Sequence, residues 1–170
     1  MTGTGPDVRR ARERDALAEA TALSASALGV STPNPPVGAV VLDSAGEVVG
    51  RGATETPGGR HAEVVALDRA GERSRGGTLL VTLEPCDHHG RTGPCTARAL
   101  AAGVARVVYA VGDPNPVAAG GAETLRRAGG GGGPADADGG AAPPDPRRPP
   151  APGHCRPRWA PCRRRRRPAR

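Results

Sequence analysis

Apolar residues along this chain come in short, dense runs between Gly, Pro and Asn breaks, and their spacing switches several times. Residues 9–28 (RRARERDALAEATALSASAL) set Ala16, Leu17, Ala20, Leu23, Ala27 and Leu28 three or four apart among good helix formers, which predicts a helix ended by Gly29. TPNPPVG, 32–38, is a Pro/Asn loop that cannot be helical. VGAVVLD and VVGRGAT flank the turn-like SAGE and predict two antiparallel strands, the glycines of the second marking close backbone approach. HAEVVALDRAGE returns to helical spacing through Ala62, Val65, Ala66 and Ala70, up to Gly71. GTLLVTLEP, 77–85, is almost continuously apolar, the pattern of a strand buried on both faces. A short helix over 95–102 stopped by Gly103, a second buried strand over 105–113, and a helix over VAAGGAETLRRAG with Leu125 on its apolar side complete the series.

The order α, β-β, α, β, α, β, α predicts the α/β class: a mixed sheet whose first two strands are antiparallel, with helices on both faces. Such a unit normally adds a strand after its last helix, and the sequence there is GGGGPADADGG. The last edge strand is therefore expected to be missing, leaving an open sheet edge prone to association into a homo-oligomer.

Composition changes the picture only towards the C-terminus. All 24 basic residues are arginine, and ten of them lie after residue 127 against three of the 17 acids, so the net charge of +7 belongs to the tail and the body is neutral. Beyond 128 there is no Val, Leu, Ile, Met, Phe or Tyr to offset a backbone ordering cost of roughly 1–2 kcal/mol per residue, which predicts disorder over 129–170. The abrupt shift has two readings, a genuine basic tail or translation out of frame in a GC-rich gene, and the second is preferred. One ordered domain, 9–128, remains.

The RRRRR run could attract phosphates, but only Trp159 interleaves it with an aromatic, so no specific nucleic-acid partner is expected. No run reaches the ~18 apolar residues of a membrane span. The first twenty residues lack a secretory apolar stretch and carry Asp7, Glu13, Asp15 and Glu19, which argues against a transit peptide; a cytoplasmic protein is the expectation.

The chemistry concentrates in GGRHAEVVAL and LEPCDHHGRTGPCTARAL. Cysteines in a cytosolic chain more often mean metal or catalysis than disulfides. Zinc (Zn2+) takes thiolate and imidazole, and a catalytic site keeps one position open, so His61, Cys86 and Cys95 would supply three ligands. Glu63, two residues past the histidine, is then placed to move protons rather than to bind metal. H-x-E followed by P-C-x-x-C is the zinc-deaminase signature; here eight residues separate the cysteines instead of two. A further His154/Cys155/Cys162 group in the tail lacks a fold to support it.

TPNPPVGAVV, GGRHAEVVAL, VTLEPCDHHGRTGPC and AVGDPNP, in this order and spacing, resemble the deaminase domain of the bifunctional riboflavin-biosynthesis deaminase/reductase over roughly 12–128. The resemblance implies a cytidine-deaminase-like three-layer α/β/α fold. It also implies hydrolytic, zinc-dependent deamination of diaminohydroxyphosphoribosylaminopyrimidine, a phosphoribosyl pyrimidine, with His61, Cys86 and Cys95 as ligands and Glu63 as general acid/base. By the same resemblance Asn34 reads the base, and Arg91, Thr92, Asp113 and Asn115 meet the ribose phosphate. Guanidinium pairs well with phosphate, whereas Asp113 and Asn115 also have a plain reading as turn residues. Neither His88 nor His89 is expected to bind zinc, because a fourth protein ligand would close the site. Where relatives often show an aromatic and a histidine, this chain has Ala53 and Thr54; a stacking surface is lost, and a hydroxyl could replace one imidazole hydrogen bond. The family's reductase half has no counterpart in 128–170, so no reduction is expected.

Overall fold

The computed structural model describes residues 5–88, 93–115 and 117–135. The first predicted helix is α1, Pro6–Ser26, starting three residues earlier than its apolar spacing suggests, because Pro6 suits the first helical position. The two predicted strands follow as β1, Gly38–Leu42, and β2, Val48–Ala53, paired antiparallel around the Asp43–Glu47 turn. Helix α2 spans Ala62–Ala70 and ends in a 3-10 turn over Gly71–Ser74. Then come β3 (Thr78–Leu83), α3 (Cys95–Ala102), β4 (Arg106–Val111) and α4 (Gly121–Arg127).

The sheet order is β2-β1-β3-β4-β5: β1 pairs antiparallel with β2 and β3, and β3, β4 and β5 run parallel. The fifth strand, Gly131–Pro134, corrects the expected missing edge. Parallel pairing uses backbone N–H and C=O groups alone, so GGGP can register Arg106 against Gly131 and Tyr109 against Pro134 without any side-chain pattern. The predicted disordered tail over 129–170 overlaps this strand, and residues 136–170 lie outside the described residues.

Alternation along the strands divides the core into two layers. Val40, Leu42, Leu80 and Val108 face α1 through Ala16, Leu17 and Ala20. Val41, Leu79, Val81, Val107 and Tyr109 face the other way, into Ala66 and Leu67 of α2, Ala99 of α3 and Leu125 of α4. The result is the three-layer α/β/α arrangement. Among the described residues no helix is long and apolar enough to cross a membrane.

The glycines of β2 let α2 lie directly on the strand. A Cβ at Gly52 would sit 2.2 Å from the Ala62 carbonyl oxygen, and one at Gly50 would sit 2.1 Å from that of Ala66. Because the obstacle is helix backbone, Gly52→Ala is expected to destabilise the chain by about 3 kcal/mol, read as a lower denaturant midpoint at unchanged slope.

The hairpin turn depends on Asp43, whose Oδ1 accepts the N–H of Ala45 at 3.0 Å and of Glu47 at 2.9 Å. These bonds, the Glu47 one foremost, hold its carboxyl below the usual 3.8. A depressed folded pKa contributes stability that is present above 3.8 and is lost as pH falls through the folded value. Acid titration of unfolding free energy should therefore show a loss below that pH that is absent in Asp43→Ala.

Candidate active site

Two helix N-termini meet at the C-terminal ends of β3 and β4. His61 is the N-cap of α2, in extended conformation, and Glu63 stands in that helix's first turn. Cys95 opens α3 behind Pro94, and Cys86 lies in the segment leaving β3. The register that seats α2 on β2 and α3 on the sheet thus brings together residues up to 34 positions apart.

His61 Nδ1 lies 3.3 Å from Cys95 Sγ and 3.7 Å from Cys86 Sγ, and the three ligand atoms fall within 4.8 Å of one another. A tetrahedral zinc with Zn–S near 2.3 Å and Zn–N near 2.0–2.1 Å would place nitrogen and sulfur about 3.6 Å apart. The donor set and its spacing therefore fit this metal. The Cys95 backbone N–H points at Cys86 Sγ at 3.5 Å, as expected where a helix N-terminus favours thiolate.

The two thiols hydrogen-bond to one another. Hydrogen bonding from Cys95, then from His61, pulls Cys86 down to about 4, whereas the same hydrogen bond to Cys86, followed by burial, pushes Cys95 up. A cation held between the two sulfurs would favour the thiolate form of both. Glu63 is only 4% exposed, and burial raises its carboxyl pKa.

His61, Glu63 and Cys86 form one wall of a cavity of about 560 Å³. Asn34, Thr54, Glu84, His88, Asp113 and Asn115 line it as well. Of the predicted site residues, His61, Glu63, Cys86, Asn34, Asp113 and Asn115 are thus gathered in one place, with Cys95 beneath. Arg91 and Thr92, like His89, lie outside the described residues.

Asp113 and Asn115 form the turn that their residue types suggest, and both line the cavity. Asp113 Oδ1 accepts the Asn115 N–H at 2.8 Å and Asn115 Oδ1 accepts the Val117 N–H at 3.1 Å, so they build a turn while facing the cavity. Thr54 differs from the expectation that its hydroxyl replaces an imidazole bond. Its Oγ1 accepts the Val37 N–H at 3.1 Å and donates to the Val37 carbonyl at 3.4 Å, which commits it to the backbone. His88 does not join the metal group, and its buried Nδ1 has no hydrogen-bond partner among the described residues.

Sequence reasoning missed two carboxylates here. Asp87, next to Cys86, accepts the hydroxyls of Thr96 and Thr124, each at 2.6 Å, clasping the metal segment to α3 and α4. Glu84 accepts backbone N–H groups from Asp113 and Ala122. None of these four bonds follows a local spacing, so no sequence pattern announced them.

Residues 11–111 match the family model of the cytidine and deoxycytidylate deaminase zinc-binding region. The riboflavin biosynthesis protein RibD of Corynebacterium ammoniagenes is 52% identical over 107 residues, 62% of this chain and 32% of that protein. RibD of Escherichia coli is 51% identical over 104 residues, 61% of this chain and 28% of that protein. The chain thus spans about a third of the length of the curated relatives it matches. Among solved structures, Acinetobacter baumannii RibD superposes with a TM-score of 0.71 at 39% identity, over 74% of this chain and 36% of that one. The Thermotoga maritima diaminohydroxyphosphoribosylaminopyrimidine deaminase/5-amino-6-(5-phosphoribosylamino)uracil reductase does so with a TM-score of 0.70 at 42% identity, over 74% and 37%. With the His61/Cys86/Cys95 group lying inside the matched residues, the chain belongs to the cytidine and deoxycytidylate deaminase zinc-binding family.

Proposed function

We propose that this chain hydrolyses diaminohydroxyphosphoribosylaminopyrimidine, replacing one ring amino group by oxygen and releasing ammonia, as a step towards riboflavin. The observation that carries the reading is the grouping of His61, Cys86 and Cys95 beside buried Glu63 in one cavity. The substrate class comes from the solved relative that bears this activity in its name and from the curated riboflavin-biosynthesis relatives.

In this reading His61, Cys86 and Cys95 hold zinc. When bound, zinc supplies the Lewis acidity that makes a water nucleophilic near neutral pH. The Glu63 carboxylate would take one proton from that water and give it to the ring nitrogen as the oxygen bonds to the amino-bearing carbon. It would then take the remaining hydroxyl proton and give it to the amine as the C–N bond breaks. One water is consumed and one ammonia leaves. Burial raises the Glu63 carboxyl pKa, so it holds a proton more readily than an exposed carboxyl, which suits a group that accepts and returns protons.

Asn34 offers a side-chain amide that can donate to and accept from the base edge. Asp113, Asn115, Arg91 and Thr92 take the ribose-phosphate side, the guanidinium pairing with phosphate. The catalytic unit is the 9–128 domain with β5 added at its edge. Free thiols at Cys86 and Cys95 suit a reducing cytoplasm.

The test is ammonia release by the zinc-loaded chain from the phosphoribosyl pyrimidine, cytidine and deoxycytidylate in parallel. The reading predicts a kcat/KM at least about 10²-fold higher for the first. Preference for either of the others would make the chain a different deaminase of the family, and no ammonia from any of them would remove the enzymatic reading.

A further inference from the structure

β3 ends at Leu83, and the residue after it is a glutamate that takes no part in the metal group. Its backbone N–H donates to Val111 O at 2.8 Å, carrying the parallel pairing one step beyond the strand. From there the two chains separate, one running to Cys86 and the other into the Asp113–Asn115 turn. The Glu84 side chain spans the gap: Oε2 accepts the Asp113 N–H at 3.3 Å, and Oε1 accepts the Ala122 N–H at 3.0 Å.

Ala122 lies in the first turn of α4, whose own N-cap, Gly120, has no side chain. Glu84 therefore supplies, from a distant strand end, the acceptor that a capping residue normally provides. The helix is seated directly on this segment, since a Cβ at Gly121 would lie 1.9 Å from the Pro85 carbonyl oxygen. One carboxylate thus ties both the start of the Asp113–Asn115 turn and the helix after it to the strand end that carries Cys86. The turn's internal bonds shape it but do not set its distance from the metal group.

The geometry points to Glu84 as a positioning residue for substrate specificity. It holds the Asp113–Asn115 wall at a fixed distance from the metal group, so that the sugar-phosphate side is gripped while the ring amino group reaches Glu63. The kinetic part of this proposal rests on the deaminase reading above, and the structural part rests on the hydrogen bonds alone.

Glu84→Gln keeps the shape but turns Nε2, a donor, toward one of the two N–H groups. In the zinc-loaded full chain, hydrogen–deuterium exchange over 112–122 is expected to quicken about tenfold, with 78–83 unchanged. KM for the phosphoribosyl pyrimidine should rise about tenfold, with kcat and zinc content within about twofold of wild type. In an Asn115→Ala background the penalty should shrink, because the same wall is already impaired.

Unchanged exchange over 112–122 overturns the proposal whatever the substrate. A fall in kcat at constant KM, or loss of zinc, overturns it as well, by placing Glu84 in the chemistry or the metal site. If the wild-type chain releases no ammonia from the pyrimidine, the deaminase reading fails and the exchange result still decides the positioning role. Should the Gln variant not fold, Glu84→Asp, charged but one methylene too short to span both amides, is measured in the same way.

Discussion

Glu63→Gln is expected to slow ammonia release by about 10²–10⁴-fold, the usual contribution of a general acid/base, without loss of zinc or of folded structure. Gln matches Glu in shape, so the first turn of α2 and the packing around it survive the change. What is lost is the ability to carry a proton from water to the ring and on to the leaving amine. The side chain is 4% exposed and its ionised form is disfavoured by burial, so a neutral amide should not cost stability. Ammonia release, metal analysis and denaturant unfolding on one preparation check this. Near wild-type turnover in Glu63→Gln would assign the proton transfers to another group.

Cys95→Ser should abolish stable metal binding, lowering zinc from about one per chain to about a tenth or less, since a serine hydroxyl is a poor substitute for thiolate. Cys95 is 1% exposed and opens α3, with its sulfur 3.3 Å from His61 Nδ1. Metal that binds the folded state alone stabilises it by mass action, about 2.7 kcal/mol at a hundred times the dissociation constant. The wild-type unfolding midpoint should therefore climb with added zinc while that of Cys95→Ser stays level. A variant that keeps zinc would remove Cys95 from the ligand set.

Elements specified by their own local chemistry were legible in the sequence. Helix α3 runs over the predicted 95–102 because Gly103 takes the left-handed conformation, φ 72°, that stops it. His61 and Glu63 share one helix entrance, and each cysteine follows a proline at an element boundary, so the zinc-deaminase signature could be matched to these residues in the sequence. Features that depend on distant backbone were not legible. Strand β5 has no side-chain pattern to read, being three glycines and a proline paired through backbone groups. Glu84 and Asp87 reach partners 38 and 37 positions away, a separation that only the folded sheet closes. Thr54 is the converse case: the residue type allowed its hydroxyl to replace an imidazole hydrogen bond, and the fold committed it to Val37.

The central claim is that this cavity performs hydrolysis, and isotope labelling tests it most directly. The zinc-loaded chain turned over in ¹⁸O-water is expected to place one ¹⁸O on the ring carbon that loses its amino group and to release one ammonia per product. Product without ¹⁸O, or no turnover with about one zinc bound per chain, would contradict the account.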